Sequence, residues 1–588
     1  MHKIQLSLGA LLLGTSSLLQ AADDALGPII VTATRTAQTA DETLASVTVI
    51  TRQDIQDSHS DTVMQLLQSR SVGLDVSRNG GPGATTNIFL RGTEGDHVLV
   101  LVDGVRVASV TSGSFNWASL SPEQIERIEI VRGPNSTLYG SEAIGGVIQI
   151  FTRKGKGPHA ALTAGSYGTR KASVGTGGEL GKGSYHINVQ HQQDEGFSTT
   201  NPRYYAYESD HDSYRNSSVT TGFALPLGTS TNLGLDLFHS ASRSEYDNSV
   251  PDAYADSRNS GANLTLDWQA SDFWQQHFSL NASQDRYESH DSWPADITTR
   301  RRGFTWQNDV QVNDASLFTA GYEHQVDKGE IKGSYDEKLD NNAGYLQYQW
   351  SGERYDLLLG ARSDHHSEYG RNNTGRLTVG SRLGGGRIYA GIANAFKAPT
   401  FNELYYPYYG NPAIEPEKST TAELGYRIGG LQASLYRTRI TNLIQSDPLT
   451  WQAVNVGKAL IKGLELSYAH PLGEWQLDSG LTLQSAKDEA SGDRLLRRAE
   501  KKLFFTARGP INDRTRVGIE TSYTGPRMDY GNVELNAYTL LNLTADYRLA
   551  KQWSLGGRIE NLLDEDYQLA DGYNTPGASA YLTVSYTQ

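Results

Sequence analysis

From about residue 157 to the end of the chain, apolar and polar residues alternate with a period of two. Leu233, Leu235 and Leu237 share one side of an extended segment, with Gly234, Asp236 and Phe238 on the other. Leu464, Leu466 and Tyr468 alternate with Gly463, Glu465 and Ser467, and Leu541, Leu543, Ala545, Tyr547 and Leu549 alternate with polar residues. This is the period of half-buried β-strands. Short turns separate some runs, as at residues 228–230, 384–386, 429–430 and 512–514. Longer polar stretches separate others, at 194–215, 249–259, 402–418 and 487–495. Short turns at one end and long loops at the other describe an antiparallel barrel that crosses a membrane. At about 20 residues per strand and connection, residues 157–588 supply about 22 strands.

Residues 29–152 have a different pattern, that of a compact α/β domain. Val47, Val49 and Ile50 make a β-rich segment, and Thr51 caps a helix with Asp54 in its first turn. Met64, Leu66 and Leu67 form the apolar face of a second helix, ending before Gly73. Three apolar runs follow at 88–90, 98–102 and 147–151, as expected of strands buried on both faces. Asp103 and Gly104 form a tight turn into Val105. At the start, His2 and Lys3 precede a short apolar stretch and small residues at Ala21 and Ala22, the layout of a signal peptide cut after Ala21. No later apolar run has the length of a membrane helix. The mature chain is therefore either exported and soluble, or a barrel, since only helices and closed barrels satisfy their backbone in lipid.

Composition sharpens this choice. The mean hydropathy of −0.49 reads as soluble. Alternating strands cancel their own hydropathy, so a barrel gives the same average. The 588 residues contain no Cys, which excludes disulfides, thiolate metal sites and a cysteine nucleophile. A formal charge of −14 excludes a general nucleic-acid binder. The 60 glycines suit turns, and 32 tyrosines against 14 phenylalanines suit interfacial girdles. Residues 176–182 lack the first glycine and the Ser/Thr of a phosphate loop. His365 and His366 have no partner motif, and no nucleophile constellation indicates an enzyme.

Several segments resemble those of TonB-dependent outer-membrane receptors. Ile29, Ile30, Val31, Thr32 and Ala33 resemble a TonB box. PEQIERIEIVRGP at 122–134, LYGS at 138–141 and AIGGVI at 143–148 resemble the plug signature, and ENLLDEDY at 560–567 resembles the C-terminal signature. The resemblance implies a mainly β fold: a 22-stranded antiparallel transmembrane β-barrel with an N-terminal α/β plug domain in its lumen. The expected divisions are a signal peptide at 1–21, a TonB-box segment at 22–36, a plug at 37–155 and the barrel at 156–588. Within the superfamily, NGGPG at 79–83, FLRGT at 89–93, HVLVLVDGVR at 97–106, FKAP at 396–399, YGNP at 409–412, EPEKS at 415–419 and LLRRA at 495–499 are most similar to cobalamin (vitamin B12) transporters. That implies active import of cobalamin across the Gram-negative outer membrane, driven by proton-motive force through the TonB C-terminal domain. The alternative is ferric-siderophore uptake.

The resemblance places ligand contacts on outward plug loops and long barrel loops. The first plug loop offers Asn79, Gly83, Thr85 and Thr86, where glycine lets backbone approach a bulky ligand. The second offers Ser109, Ser112, Phe115 and Trp117, with the aromatics as stacking surfaces. The barrel offers Tyr405, Tyr409 and Arg497; the alternative for the tyrosines is the outer aromatic girdle. Asp210, Asp212 and Asp247 would hold Ca²⁺ that orders extracellular loops, with Ser198 in place of one aspartate. No other cofactor is expected. The expected partners are the ligand, TonB and outer-membrane lipid, with no nucleic acid, for a monomer. Arg91, Arg106, Arg132, Glu126 and Glu129 should lie at the plug–barrel boundary.

Overall fold

The computed structural model describes residues 30–31, 35, 38–39, 42–447 and 450–588, with backbone only at Ile30, Val31 and Val456. The expected signal peptide lies outside the described residues. Twenty-two antiparallel strands form a closed barrel. The first, His159–Gly165, pairs with the last, Ser579–Thr587, so no edge is left open. Closure is obligatory in lipid, where an unpaired strand edge would leave its backbone groups without partners. Side chains alternate as the sequence requires. Leu435 on strand Leu431–Ser446 faces outward at 55% exposure, while its neighbours Ser434 and Tyr436 are buried against the lumen.

Strands of up to 20 residues, such as Ala453–Leu472, exceed the roughly 9–11 needed to cross the bilayer. The extra length stands above the membrane. Strand Tyr254–Ser271 therefore takes in much of the segment read from sequence as a loop at 249–259. Its residues Ser257, Arg258 and Asn259 are polar on both faces, so their hydropathy carries no period.

The plug fills the lumen. Its five-stranded sheet runs in the order Val47–Ile50, Ile125–Arg132, Gly146–Thr152, Val98–Val102, Val105–Arg106. Val98–Val102 and Gly146–Thr152 run parallel, and the other pairs are antiparallel. Asp103 and Gly104 both have positive φ, as a two-residue hairpin turn demands. Helices Arg52–Ser58 and Val63–Arg70 open with capping boxes at Thr51 and Thr62. Ile55, Met64, Leu66 and Leu67 pack beneath them with Ile128, Ile130, Ile148 and Ile150 in one core. A separate hairpin, Leu74–Arg78 with Thr86–Leu90, points its turn at the extracellular mouth.

Charge pairs hold the plug to the barrel. Arg91 is 1% exposed and forks between Glu423 and Glu465 of the wall, at 3.0 and 2.9 Å. Arg132 lies 3.3 Å from Glu465. Arg70 meets Glu520 at 2.9 Å, and Arg301 of the wall meets Glu142 of the plug. Arg106 stays closer to home: it pairs with Glu142 at 3.7 Å and donates to the Ser141 carbonyl. Removing one partner of such a buried pair costs about 3–5 kcal/mol, because the other charge is left unmatched. Arg91→Ala should therefore loosen the plug while sparing the barrel. Single-channel conductance in planar bilayers should rise at a urea concentration that leaves the unaltered receptor closed; equal conductance would refute this anchoring role.

Candidate functional site

The extracellular mouth is built from two plug loops and the barrel loops that meet them. In the first plug loop, Gly80 and Gly83 have positive φ. A Cβ on Gly83 would sit 2.4 Å from the Tyr214 ring, and one on Gly80 would sit 2.0 Å from the Thr199 methyl. The close approach these glycines permit is thus to the barrel wall. Asn79 is half-buried and its N–H donates to the Thr85 carbonyl at 3.1 Å. Thr86 is half-buried, and its hydroxyl donates to the Ala84 carbonyl. Thr85 is exposed at the tip.

In the second plug loop, Ser112 is exposed. Ser109 is buried, with its hydroxyl 3.0 Å from Thr299 of the wall. Phe115 and Trp117, expected as stacking surfaces, are buried in the plug core, their rings edge-on at 5.1 Å. An aromatic pair in an otherwise polar loop satisfies the local core first, and sequence does not distinguish that from a surface platform. The barrel loop at 398–416 locks onto this plug loop. Thr400 caps the helix Phe401–Tyr405, and the N–H groups of Phe401 and Asn402 donate to the carbonyls of Val110 and Thr111, both at 3.0 Å. Tyr405 packs on Tyr335 and Phe401, and Tyr409 is half-buried beside them. Tyr406 and Tyr408 face solvent, the latter at 95% exposure. This cluster crowns the plug, so the girdle alternative does not describe it.

Arg497 is a junction between three segments. Its Nη1 donates to Ser77 of the plug hairpin at 2.9 Å and its Nε to Asp529 at 2.6 Å, while its guanidinium lies over Tyr530. Asp529 and Tyr530 belong to a small hairpin, Arg527–Asp529 with Val533–Leu535, inside a barrel loop.

The acidic loop brings Glu208, Asp210 and Asp247 together, one oxygen from each lying within 4.8 Å of the others. Asp212 is not among them; its carboxylate accepts the Thr199 N–H at 2.5 Å. Glu208 takes the place expected for it. Ser198 lies beside the group, with its hydroxyl 2.9 Å from the Glu208 carbonyl and 3.3 Å from Asp247. Asp247 is buried; its Oδ2 accepts from Thr200, and its Oδ1 has no partner among the described residues. A buried carboxylate oxygen without a donor, facing two further carboxylates, fits a hard divalent cation. Burial, with Asp210 and Asp247 nearby, pushes the Glu208 carboxyl above the usual range.

Below the mouth, a cavity of about 110 Å³ separates plug from wall. Asp96, Ser109 and Lys397 line it, as do Arg106, Glu142, Arg301 and Glu323. Arg35 also reaches into it. Its guanidinium pairs with Glu323, donates to the Tyr345 hydroxyl at 2.9 Å and lies over the rings of Tyr139 and Tyr345. Residues 25–40 contain no other charge; Arg35 was not among the residues expected from sequence. Of the five expected box residues, Ile30 and Val31 are described by backbone, pairing with Thr39 and Gln38. Ile29, Thr32 and Ala33 lie outside the described residues.

Comparisons with known proteins agree with this arrangement. Residues 39–147 match the TonB-dependent Receptor Plug Domain, and residues 156–562 match the TonB dependent receptor-like beta-barrel. The chain belongs to the TonB-dependent receptors. Such receptors are outer-membrane transporters, not enzymes. The chain is 30% identical over 590 residues to a vitamin B12 transporter BtuB of Photobacterium profundum, covering 96% of each. It is 30% identical over 584 residues to that of Vibrio cholerae, covering 95% of each. In fold, the receptor is similar to the siderophore receptor PirA of Acinetobacter baumannii, at TM-score 0.80 and 18% identity over 92% of this chain and 98% of that one. The ferric-catecholate import receptor Fiu of E. coli gives TM-score 0.80 and 17% identity over 93% and 98%.

Arg35 lies two residues beyond the expected box, and its contacts hold that segment to the wall. Hydrogen bonds to a charged group contribute about 2 kcal/mol, so Arg35→Ala should raise the open fraction of the segment about thirtyfold. Protease accessibility at residues 36–42, without ligand, measures this. Unchanged cleavage would remove Arg35 as the retaining contact.

Proposed function

We propose that the receptor imports cobalamin across the outer membrane, driven by proton-motive force delivered through TonB. The observation that carries this reading is the 30% identity, end to end, with vitamin B12 transporters. The siderophore receptors share the fold at lower identity, and their ligands do not transfer with it. Cobalamin brings its own metal, so a mouth of hydroxyls and tyrosines without thiolates suits it. Thr85 and Ser112 on the plug, with Tyr406 and Tyr408 above, offer amide-binding hydroxyls and flat rings toward solvent. Tyr405 and Tyr409 support them from beneath, and Asn79, Gly83, Thr86 and Arg497 hold the loops in register. Calorimetry with cyanocobalamin against a panel of ferric siderophores separates the two readings. Binding of the corrinoid alone is expected, and binding of a siderophore alone would replace this reading with siderophore uptake.

The chain would be exported through its signal peptide and act as a monomer. The box, Ile29 to Ala33, would add as a strand to the sheet edge of the TonB C-terminal domain. In the resting state the backbone of Ile30 and Val31 is already paired, with Thr39 and Gln38. Engagement is then an exchange of one strand partner for another, and pulling the box draws on Arg35. Val31→Pro removes a donor; it should abolish uptake of labelled cobalamin by cells while surface binding persists. Uptake at the unaltered rate would dismiss the box.

Ca²⁺ would be held by Glu208, Asp210 and Asp247, fastening the loop at 198–211 to its neighbour. Asp247→Asn should weaken calcium binding at least about tenfold, and cobalamin affinity should lose its dependence on calcium. A carboxylate titrating above its usual range binds a proton in competition with the ion, so calcium affinity should fall as the medium is acidified. Titration of the purified receptor with calcium, in the presence and absence of cobalamin, tests both points. An unaltered affinity in the variant would exclude this site.

A further inference from the structure

Three neighbouring strands carry a concentration of cations on the outer surface of the barrel. They are Leu431–Ser446, Ala453–Leu472 and Trp475–Asp488. Tyr436, Thr438 and Ile440 of the first and Ala459 and Ile461 of the second are buried against the lumen. Alternation therefore turns Arg437, Arg439, Lys458 and Lys462 outward. On the third strand Gln484 and Ala486 are buried, which turns Lys487 outward.

The strand register stacks these residues in rows. Leu435, Leu464 and Leu483 lie side by side as one row of the apolar belt. The next outward row, about 7 Å nearer the cell exterior, sets Arg437 directly opposite Lys462. The row beyond that sets Arg439 and Lys487 on either side of Leu460, and Lys458 stands opposite Thr441 above it. The direction is fixed by the connections. Strand Leu431–Ser446 begins at the short turn at 429–430 and runs to the mouth, where the Ala453 N–H donates to the Tyr409 carbonyl at 2.7 Å. The cations thus begin where the apolar belt ends, on the extracellular side.

Like charges directly opposite one another destabilise a strand pair. Across the barrel, outward arginines stand against carboxylates: Arg243 with Asp256 at 2.7 Å, Arg286 with Asp296 at 3.1 Å and Arg300 with Glu330 at 3.4 Å. On the three cationic strands, Arg439 has Glu489 at 2.8 Å. Arg437, Lys458, Lys462 and Lys487 have no carboxylate partner among the described residues. Four exposed cations without a protein carboxylate at the edge of an apolar belt suit an anion from outside the protein, and one whose apolar part lies against Leu435, Leu464 and Leu483. We infer that this face is a binding site for a phosphorylated lipid of the outer leaflet, with its acyl chains on the leucine row and its phosphates between Arg437, Lys462, Lys458 and Lys487. Guanidinium binds phosphate bidentately and ammonium binds it as a point charge, so the mixture suits a headgroup with more than one phosphate. The assignment is independent of which ligand the receptor imports.

Native mass spectrometry of the detergent-solubilised full receptor, titrated with bis-phosphorylated lipid A and with its fully dephosphorylated counterpart, tests the site. Each of several cations at a lipid surface contributes measurably, so the variant Arg437→Gln/Lys458→Gln/Lys462→Gln/Lys487→Gln should bind the phosphorylated lipid at least about tenfold more weakly. The double variant Arg437→Gln/Lys462→Gln should lie between it and the unaltered receptor, and provides the readout where the fourfold variant does not assemble. Arg437→Lys/Lys462→Arg, which keeps the charges, should retain binding, and Arg243→Gln/Arg286→Gln should bind as the unaltered receptor does. Heat-modifiable migration in gels verifies the fold of each variant. The site is overturned if the double variant binds undiminished, if the dephosphorylated lipid binds as tightly, or if the Arg243/Arg286 control loses as much.

Discussion

A backbone that crosses lipid as strands must close on itself, and the rest of this molecule follows from that closure. Pairing His159–Gly165 with Ser579–Thr587 leaves no unsatisfied edge. Twenty-two strands, however, enclose a lumen far too wide for their own side chains to fill. The inward residues are therefore polar, and a second domain must occupy the space. The plug brings an apolar core of Ile55, Leu66, Ile128 and Ile150. Between the two surfaces stand charge pairs, Arg91 with Glu423 and Glu465, Arg70 with Glu520, Glu142 with Arg301, beside local apolar contacts such as Ile144 with Tyr436 and Ile461.

That choice of contact has a functional consequence. An apolar interface would fix the plug by the area it removes from water, and separating it would restore the whole cost at once. Ion pairs in a polar lumen behave differently. Each is strong while dry, yet each partner can be rehydrated or take a neighbour as the plug shifts. Glu323, for example, meets both Arg35 and Arg362, and Arg362 also meets Asp364. Loss of one contact leaves Glu323 with a second. A plug bound in this way is held firmly at rest and can still rearrange stepwise under force.

Much of this was legible in the sequence, for definable reasons. The alternating leucines of strand Thr231–Glu245 and the Gly-rich turns reported the barrel, because lipid on one face and water on the other impose a period of two. Thr51 and Asp54 reported their helix through capping chemistry that is local in the chain. The mouth was less legible, because its contacts are not local. Phe115 and Trp117 are equally apolar whether they face a ligand or a core, and tertiary packing settles that. Glu208 joins Asp247 across 39 positions of sequence, and Asp212, nearer in pattern, turns to the Thr199 backbone instead. Arg497 meets Ser77 from 420 positions away.

The cavity between plug and wall bears on how transport proceeds. At about 110 Å³ it has room for water between plug and wall. Its lining joins the two ends of the molecule: Arg35, beside the expected box, is at one side, and Asp96, Ser109 and Lys397, under the mouth, are at the other. Lys397 bridges Asp96 of the plug to Glu403 of the crowning helix at 2.6 and 3.0 Å. On the proposed reading, a pull on the N-terminal segment would remove one of the two cations facing Glu323 and leave it with Arg362, whose Nη1 also donates to the Leu138 carbonyl of the plug. Force applied at the periplasmic end would thereby change ion-pair partners along this cavity. On that reading the plug would not need to unfold as a whole for this to begin, because the first step would be the withdrawal of one side chain.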